Sequence, residues 1–385
     1  MHPLWKEVMR LLFAAVPALG HLLPLAPFIH AAREAGHDVA VLTSAGMAPA
    51  MELELPGVTL LPAGPMPPEL FAEVARRVPG SDPAAAPEPA AVAEFFAGVR
   101  VDLSADTAIE EATRWQPDAI IADAVDFVGP LVATALAIPH ALVAFGPALP
   151  PEFTTPLFSV VASRYADRGL ALVPPAAMFD PAPSLLQPDG WVPPEFVIPF
   201  QPAPHQREDS AAANLFASAG ERIPVLLTLG TVFGNDTLLG ALVSNLESEQ
   251  TDVVATVMEK AEQHHNTDHV RYEAFRPLAE LLPGASVVVS AGGAGTVLAA
   301  LSQGIPLVVI PQGADQFINA ERAAAAGAAK VISDPADTLD AVLEVTADAQ
   351  YAAAAAAIRD QMRGRQTPRQ AIETFLAQVA AAASQ

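Results

Sequence analysis

The stretch VVVSAGGAGTVLAALSQGIPLVVI, which begins at Val287, limits the fold more than any other feature of the chain. An apolar run at 286–289 breaks at a pair of glycines. Helical character follows over 296–303, then a Gly-Ile-Pro turn, then a second apolar run at 306–310. Two buried strands joined through a helix become parallel neighbours, and the crossover between them is right-handed. A parallel sheet needs helices on both faces. Whatever surrounds this unit is therefore an α/β domain.

The same alternation recurs along the chain. MRLLFAAV at 9–16 reads as a buried strand, 22–36 as a helix and VAVLT at 39–43 as the next strand. Further strands are expected at 58–61, 118–122 and 140–145, with a helix at 128–136. A second set follows, with strands at 224–229, 252–257 and 270–272 and helices at 238–246 and 320–326. The last 35 residues are Ala-rich and helix-forming. Between the sets, PPAAMFDPAPSLLQPDGWVPPEFVIPFQPAP is too rich in proline for long regular structure. These patterns predict an N-terminal domain over 1–205, a linker at about 174–206, a second domain over 207–365 and a terminal helix over 366–385 that packs back on the first domain. Two doubly wound sheets would turn their carboxyl ends toward a shared central cleft. PGSDPAAAPEPAAVA, from Pro79, reads as a mobile loop over a helical hairpin.

Composition removes several partner classes. The net charge is −23, which argues against nucleic acid and allows at most peripheral contact with an anionic membrane. Cysteine is absent, which excludes disulfides and thiolate chemistry and points to the cytoplasm. Mean hydropathy is +0.33, but the excess is alanine, and no apolar run is long enough to span a bilayer. The N-terminal apolar run leads straight into a βα pattern and reads as the first strand, not a signal peptide.

Three stretches carry chemistry. Gly292-Gly293-Ala294-Gly295-Thr296 lies between a strand and a helix. Small residues there let backbone amides approach an anion, and the helix end supplies about half a positive charge. No Lys, Arg or His stands in the loop, and it matches neither a Walker A loop nor GxGxxG. From pattern alone, a phosphate cradle and a plain βα turn are equally good readings. His21, in GHLLPLA, stands at a strand-to-helix junction. It is either a base or a packed loop histidine. Asp123 and Asp126, in IIADAVDF, compete as its carboxylate partner, and Asp126 suits a first-turn cap. Asp315 and Gln316, in GADQF, read most simply as caps of the following helix. DxD, HExxH and GxSxG are all missing.

The segment GGAGTVLAALSQGIPLVVIPQGADQFINAERAAAAGAA resembles the donor-binding signature of family 1 glycosyltransferases, which have the two-domain GT-B fold. GHLLPLAPFIHAAREAGHDVAVLT, PDAIIADAVDFVGPLVATALAIP, PSLLQPDG and LLTLGTVF resemble that family's other segments, in order, over nearly the whole chain. The match is best to actinobacterial enzymes that attach deoxysugars to natural products. The resemblance implies a nucleotide-sugar as co-substrate, with no bound cofactor or metal, a hydrophobic acceptor, inversion at the anomeric centre and a homodimer as one assembly. It implies that Thr228, Gly230, Thr231, Gly292, Gly293, Ala294, Gly295 and Thr296 hold the diphosphate. Phe275 would stack on the base, that of dTDP by the same resemblance, and Asp315 and Gln316 would bind the sugar. His21 would be the base and Asp123 its support. Acceptor contacts would come from about 78–99 and from 145–159.

Two departures stand out. The family's usual His before the Gly pair is Ala291 here, and its usual Gln after the aromatic-x-Pro is Leu278. Losing one hydrogen bond to phosphate costs about 1–3 kcal/mol, and Ala291→His is the test: tighter nucleotide binding would show a cradle short of one donor. These departures raise an alternative, an impaired homologue serving as an auxiliary partner protein, although such a scaffold has no need of His21, Asp123, Asp315 and Gln316. A nucleotide-sugar epimerase of similar fold lacks its signatures.

Overall fold

The structure, a computed structural model, describes residues 8–207, 214–216, 220–230, 236–258 and 261–383. It divides into two compact units. The first comprises Met1–Pro181, Val192–Phe200 and Gln366–Gln385, and the second Ala182–Trp191 and Gln201–Arg365.

The first unit is built on a seven-stranded parallel sheet. Its strands are β1 (Arg10–Ala14), β2 (Asp38–Thr43), β3 (Thr59–Pro62), β4 (Ala119–Asp123), β5 (His140–Val143), β6 (Ala177–Asp180) and β7 (Val197–Pro199). They lie in the order β3-β2-β1-β4-β5-β6-β7. Strand side chains alternate between faces, and β1 shows both cores. Leu11 and Phe13 point into one, with Phe28 and Ile29 of helix Ala26–Glu34. Leu12 and Ala14 point into the other, with Val128 and Leu131 of helix Val128–Leu136. That second helix lies close to the sheet because Gly129 has no side chain. A Cβ there would stand 2.7 Å from the Cβ of Ala14 and 2.8 Å from that of Ala122.

The second unit has a six-stranded parallel sheet: β8 (Ile223–Thr228), β9 (Thr251–Val257), β10 (Val270–Ala274), β11 (Val287–Ser290), β12 (Leu307–Val309) and β13 (Ala329–Val331). The order is β10-β9-β8-β11-β12-β13. The opening stretch forms β11, helix Ala294–Ser302 and β12. Both sheets follow one winding rule: each grows outward from its first strand in one direction, then restarts from its fourth on the other side. The fold class is thus the α/β pair of Rossmann-like sheets read from the sequence.

Two segments differ from expectation, and a third was given no secondary structure in advance. The Pro-rich stretch is more than a linker. Residues 177–180 and 197–199 form β6 and β7, and Ala182–Trp191 joins the second unit, where Leu186 is buried in its core. Proline is tolerated because these strands are very short and Pro199 ends the edge strand β7. The segment from Pro79 is only partly loop. Asp82 closes a turn by accepting from the amides of Ala84 and Ala85, and helix Pro89–Ala93 runs on into a π-helical turn, Glu94–Val99. Residues Pro151–Ala166 form a 16-residue helix that buries Leu157, Val161 and Tyr165 at four-residue intervals, despite Pro156 within it. Among the described residues, no helix is long and apolar enough to cross a membrane.

Candidate active site

The first sheet's winding reverses between β1 and β4. Their chains leave in opposite directions, so a crevice opens at their carboxyl ends, the usual ligand position in open α/β sheets. His21 and Asp123 stand there. After β1, Ala18 is extended and its carbonyl accepts from the amides of His21 and Leu22, which makes a single helical turn over Leu19–Leu22. Asp123 is the last residue of β4. His21 Nδ1 lies 2.7 Å from Asp123 Oδ2. The His21 side chain is 20% exposed and that of Asp123 only 3%. A carboxylate at Nδ1 favours the tautomer with its proton on that nitrogen and leaves Nε2 to accept one from a substrate. Two phenyl rings meet the imidazole edge-on: Phe96, from the π-helical turn, with ring centroids 5.7 Å apart, and Phe145, after β5, at 5.8 Å.

Asp126 has a different task. Its Oδ1 accepts from the amide of Val128 at 3.0 Å, and its Oδ2 faces Arg100 Nη2 at 3.3 Å. Both side chains are fully buried. Burial pushes the Asp126 carboxyl above its ordinary range, against the pull of Arg100. Arg100 also donates to the carbonyls of Ala63 and Ala15 and to Ser104 Oγ. It thereby binds the segments leaving β1 and β3 and the turn after β4.

The second sheet reverses between β8 and β11, where Thr228 and Ser290 are in register. Thr228 Oγ1 accepts from Thr256 Oγ1 at 2.9 Å. Gly230 follows with φ +77°, and Thr231 lies outside the described residues. Beyond β11, Gly292 has φ +88°. A Cβ on it would come within 2.7 Å of Val309 Cγ1 and 3.2 Å of the Gln316 carbonyl, so only glycine fits. Its amide donates to Ser290 Oγ at 3.2 Å. Gly293 caps helix Ala294–Ser302, and its carbonyl takes the amides of Thr296 and Val297. The amides of Ala294 and Gly295, in the first turn, have no intrahelical acceptor. A Cβ built on Gly293 or Gly295 would meet nothing within 4 Å, so the loop's outer side is open.

Asp315 and Gln316 follow β12. Helix Gln316–Ala325 starts four residues earlier than expected, and Asp315 occupies its N-cap without a side-chain capping bond. The capping role that the sequence favours for Asp315 is therefore absent. Instead Asp315 Oδ2 accepts from Asn319 Nδ2 at 2.7 Å. Gln316 is buried, and its Oε1 accepts from the amides of Gln312 and Gly313 at 2.8 and 3.1 Å. It braces the loop from inside. Ala314, between Gly313 and Asp315, has φ +49°, a strained conformation for alanine. Phe275 sits half-buried just past β10, its amide donating to Val257. Leu278 packs against the second unit's core.

Residues 30–197 and 239–377 match the N-terminal and C-terminal domain models described as erythromycin biosynthesis protein CIII-like. The L-demethylnoviosyl transferase of Streptomyces niveus is 34% identical over 380 residues, covering 94% of this chain and 96% of that protein. The chain belongs to the family 1 GT-B glycosyltransferases. The elloramycin glycosyltransferase of Streptomyces olivaceus is 32% identical, covering 94% and 95%. A Streptomyces sp. SF2575 glycosyltransferase solved with thymidine diphosphate superposes with a TM-score of 0.81, at 25% identity and with 96% and 99% covered. This is a natural-product glycosyltransferase family that uses nucleotide-sugar donors.

For this glycosyltransferase, the departure at Ala291 has a steric side. Ala291 is 1% exposed and packs in one apolar core with Leu227, Leu229 and Ile310. An imidazole introduced there would have to displace those side chains, so Ala291→His carries a packing cost beside any hydrogen bond that it restores. Sequence reasoning also missed Phe96 as a neighbour of His21, and Arg100 and Asn319 altogether. Asn319 had a signal, its i+4 spacing from Asp315 on a helix. Phe96 had none, because a π-helical turn breaks the ordinary helical register.

Proposed function

We propose that this glycosyltransferase moves a deoxysugar from a dTDP-linked donor to a hydroxyl of a hydrophobic natural-product aglycone, with inversion at the anomeric carbon. It would act in the cytoplasm. The observation that carries the reading is the His21–Asp123 pair, at 2.7 Å, with two phenyl rings beside the imidazole. His21 Nε2 takes the acceptor's hydroxyl proton, and Asp123 stabilises the imidazolium that results. The acceptor oxygen attacks the anomeric carbon as the bond to the diphosphate breaks on the opposite face. The leaving diphosphate is received by the amides of Ala294 and Gly295, the hydroxyl of Thr296 and the helix end. No metal takes part in this step. Phe96 and Phe145 suit a flat apolar acceptor. A purely auxiliary partner protein has no use for a half-open imidazole held by a buried carboxylate.

The test is mass spectrometry of products from a panel of dTDP- and UDP-sugars offered with polyketide aglycones, with NMR of the product's anomeric centre. Product from dTDP-sugars with inverted configuration, undiminished in EDTA, is expected. Retained configuration, loss of turnover in EDTA, or use of UDP-sugars alone would each sink the corresponding part. His21→Ala should lower turnover about 10²–10⁴-fold, the usual worth of a general base, with dTDP affinity kept. Unchanged turnover would remove His21 from that role.

A further inference from the structure

Asn319 belongs to helix Gln316–Ala325 and is 2% exposed. Its one side-chain amide nitrogen makes two bonds. Nδ2 donates to the carbonyl of Gly292 at 3.0 Å and to Asp315 Oδ2 at 2.7 Å. The first acceptor belongs to the loop after β11 and the second to the loop after β12. An NH2 group has two hydrogens, so this geometry uses both. The segments on either side of the second loop also press on the first, since a Cβ on Gly292 would meet the Val309 side chain and the Gln316 carbonyl. The loop that presents Asp315 contains the strained Ala314 and is braced from within by Gln316 Oε1. A strained loop keeps its shape only when its surroundings over-determine it. Gln316 fixes the loop's internal shape, whereas Asn319 fixes its place relative to the Gly292 loop.

We infer that Asn319 is a positioning residue that sets the distance and angle between the diphosphate cradle and the carboxylate presented to the transferred sugar. The inference rests on the proposed function for what the two loops bind, but not for their coupling. A shift of about 1 Å between a group that holds the leaving diphosphate and one that holds the sugar is enough to misalign an in-line displacement. Asn319 touches neither substrate and acts through Asp315 and Gly292.

Two measurements test it on the full chain. In the first, hydrogen exchange is followed by mass spectrometry in unliganded wild type and Asn319→Ala. The loop over 310–317 should exchange about tenfold faster in the variant, as expected for one lost tether, while β11 stays unchanged. Equal exchange in the loop overturns the inference. The second is a double-mutant cycle with Asp315→Ala. Asn319→Ala alone should lower kcat/KM for the dTDP-sugar about ten- to hundredfold, yet change the dissociation constant of dTDP by less than about threefold. In the Asp315→Ala background the same substitution should cost less than about threefold, because residues acting through one contact are not additive. A full-sized loss in that background, or a dTDP affinity that falls as far as turnover, would show a general structural role instead. Asn319→Asp keeps the shape but sets a carboxylate against Asp315, and should be at least as damaging as alanine. If wild type neither binds dTDP nor turns over, the proposed function fails, and the exchange comparison still decides the role of Asn319.

Discussion

At Ala291 a single methyl group separates two demands. The family resemblance leads to the expectation of a histidine at this point, whereas this chain closes its core here. Ala291 is almost fully buried, with Ser290 holding the next amide but one and Gly292 forced into positive φ. Forcing a large side chain into a packed core costs about 1–3 kcal/mol. Ala291→His should therefore lower the melting temperature by several degrees in differential scanning fluorimetry and should not tighten dTDP binding. A variant as stable as wild type with tighter dTDP binding would show that the core yields. Single residues differ in how far the sequence discloses them. His21 and Asp123 were legible as candidates because each closely follows a predicted strand, and the family resemblance chose Asp123 over Asp126 as the partner. Gln316 was not, because its side chain turns inward to two amides of its own loop, and nothing in its spacing reveals that.

Elements around the first switch point are held by one buried cation. Arg100 follows the π-helical turn and reaches the carbonyls of Ala15 and Ala63, Ser104 Oγ and Asp126. The segments leaving β1, β3 and β4 thereby meet the turn that carries Phe96 to His21. Removing one partner of a buried ion pair leaves the other charge uncompensated, at about 3–5 kcal/mol. Arg100→Met should cost that much in urea unfolding of the first unit, and combining it with Asp126→Asn should recover part of the loss. An Arg100→Met variant with wild-type stability would mean that Asp126 is already neutral and the clamp idle. Such elements were hidden for physical reasons. A lone Arg in a helix looks like a solvated face, a π-helical turn has no period of its own, and the strands at 177–180 and 197–199 are too short and too rich in proline to announce themselves.

Across the whole molecule the chain order does not match the units. The last helix, Pro368–Ala383, completes the first unit's core instead of extending the second. Ala371, Ile372, Phe375 and Leu376 are buried against Phe28 and Phe179, and the Phe375 ring meets that of Phe179 edge-on at 6.2 Å. Helicity at the C-terminus was legible from its alanine content and its return to the first domain was expected, but the individual contacts, more than 150 residues distant in sequence, were not. Truncating a fully buried phenylalanine costs about 3–5 kcal/mol. Because the Gly292 loop and its braces lie wholly in the second unit, that loss should fall on one unit alone. Phe375→Ala should lower the unfolding transition of the first unit in calorimetry and reduce turnover near the midpoint. At lower temperature dTDP binding should persist with little change. Loss of dTDP binding in step with the first unit's unfolding would instead show that the two sheets fold as a single cooperative body.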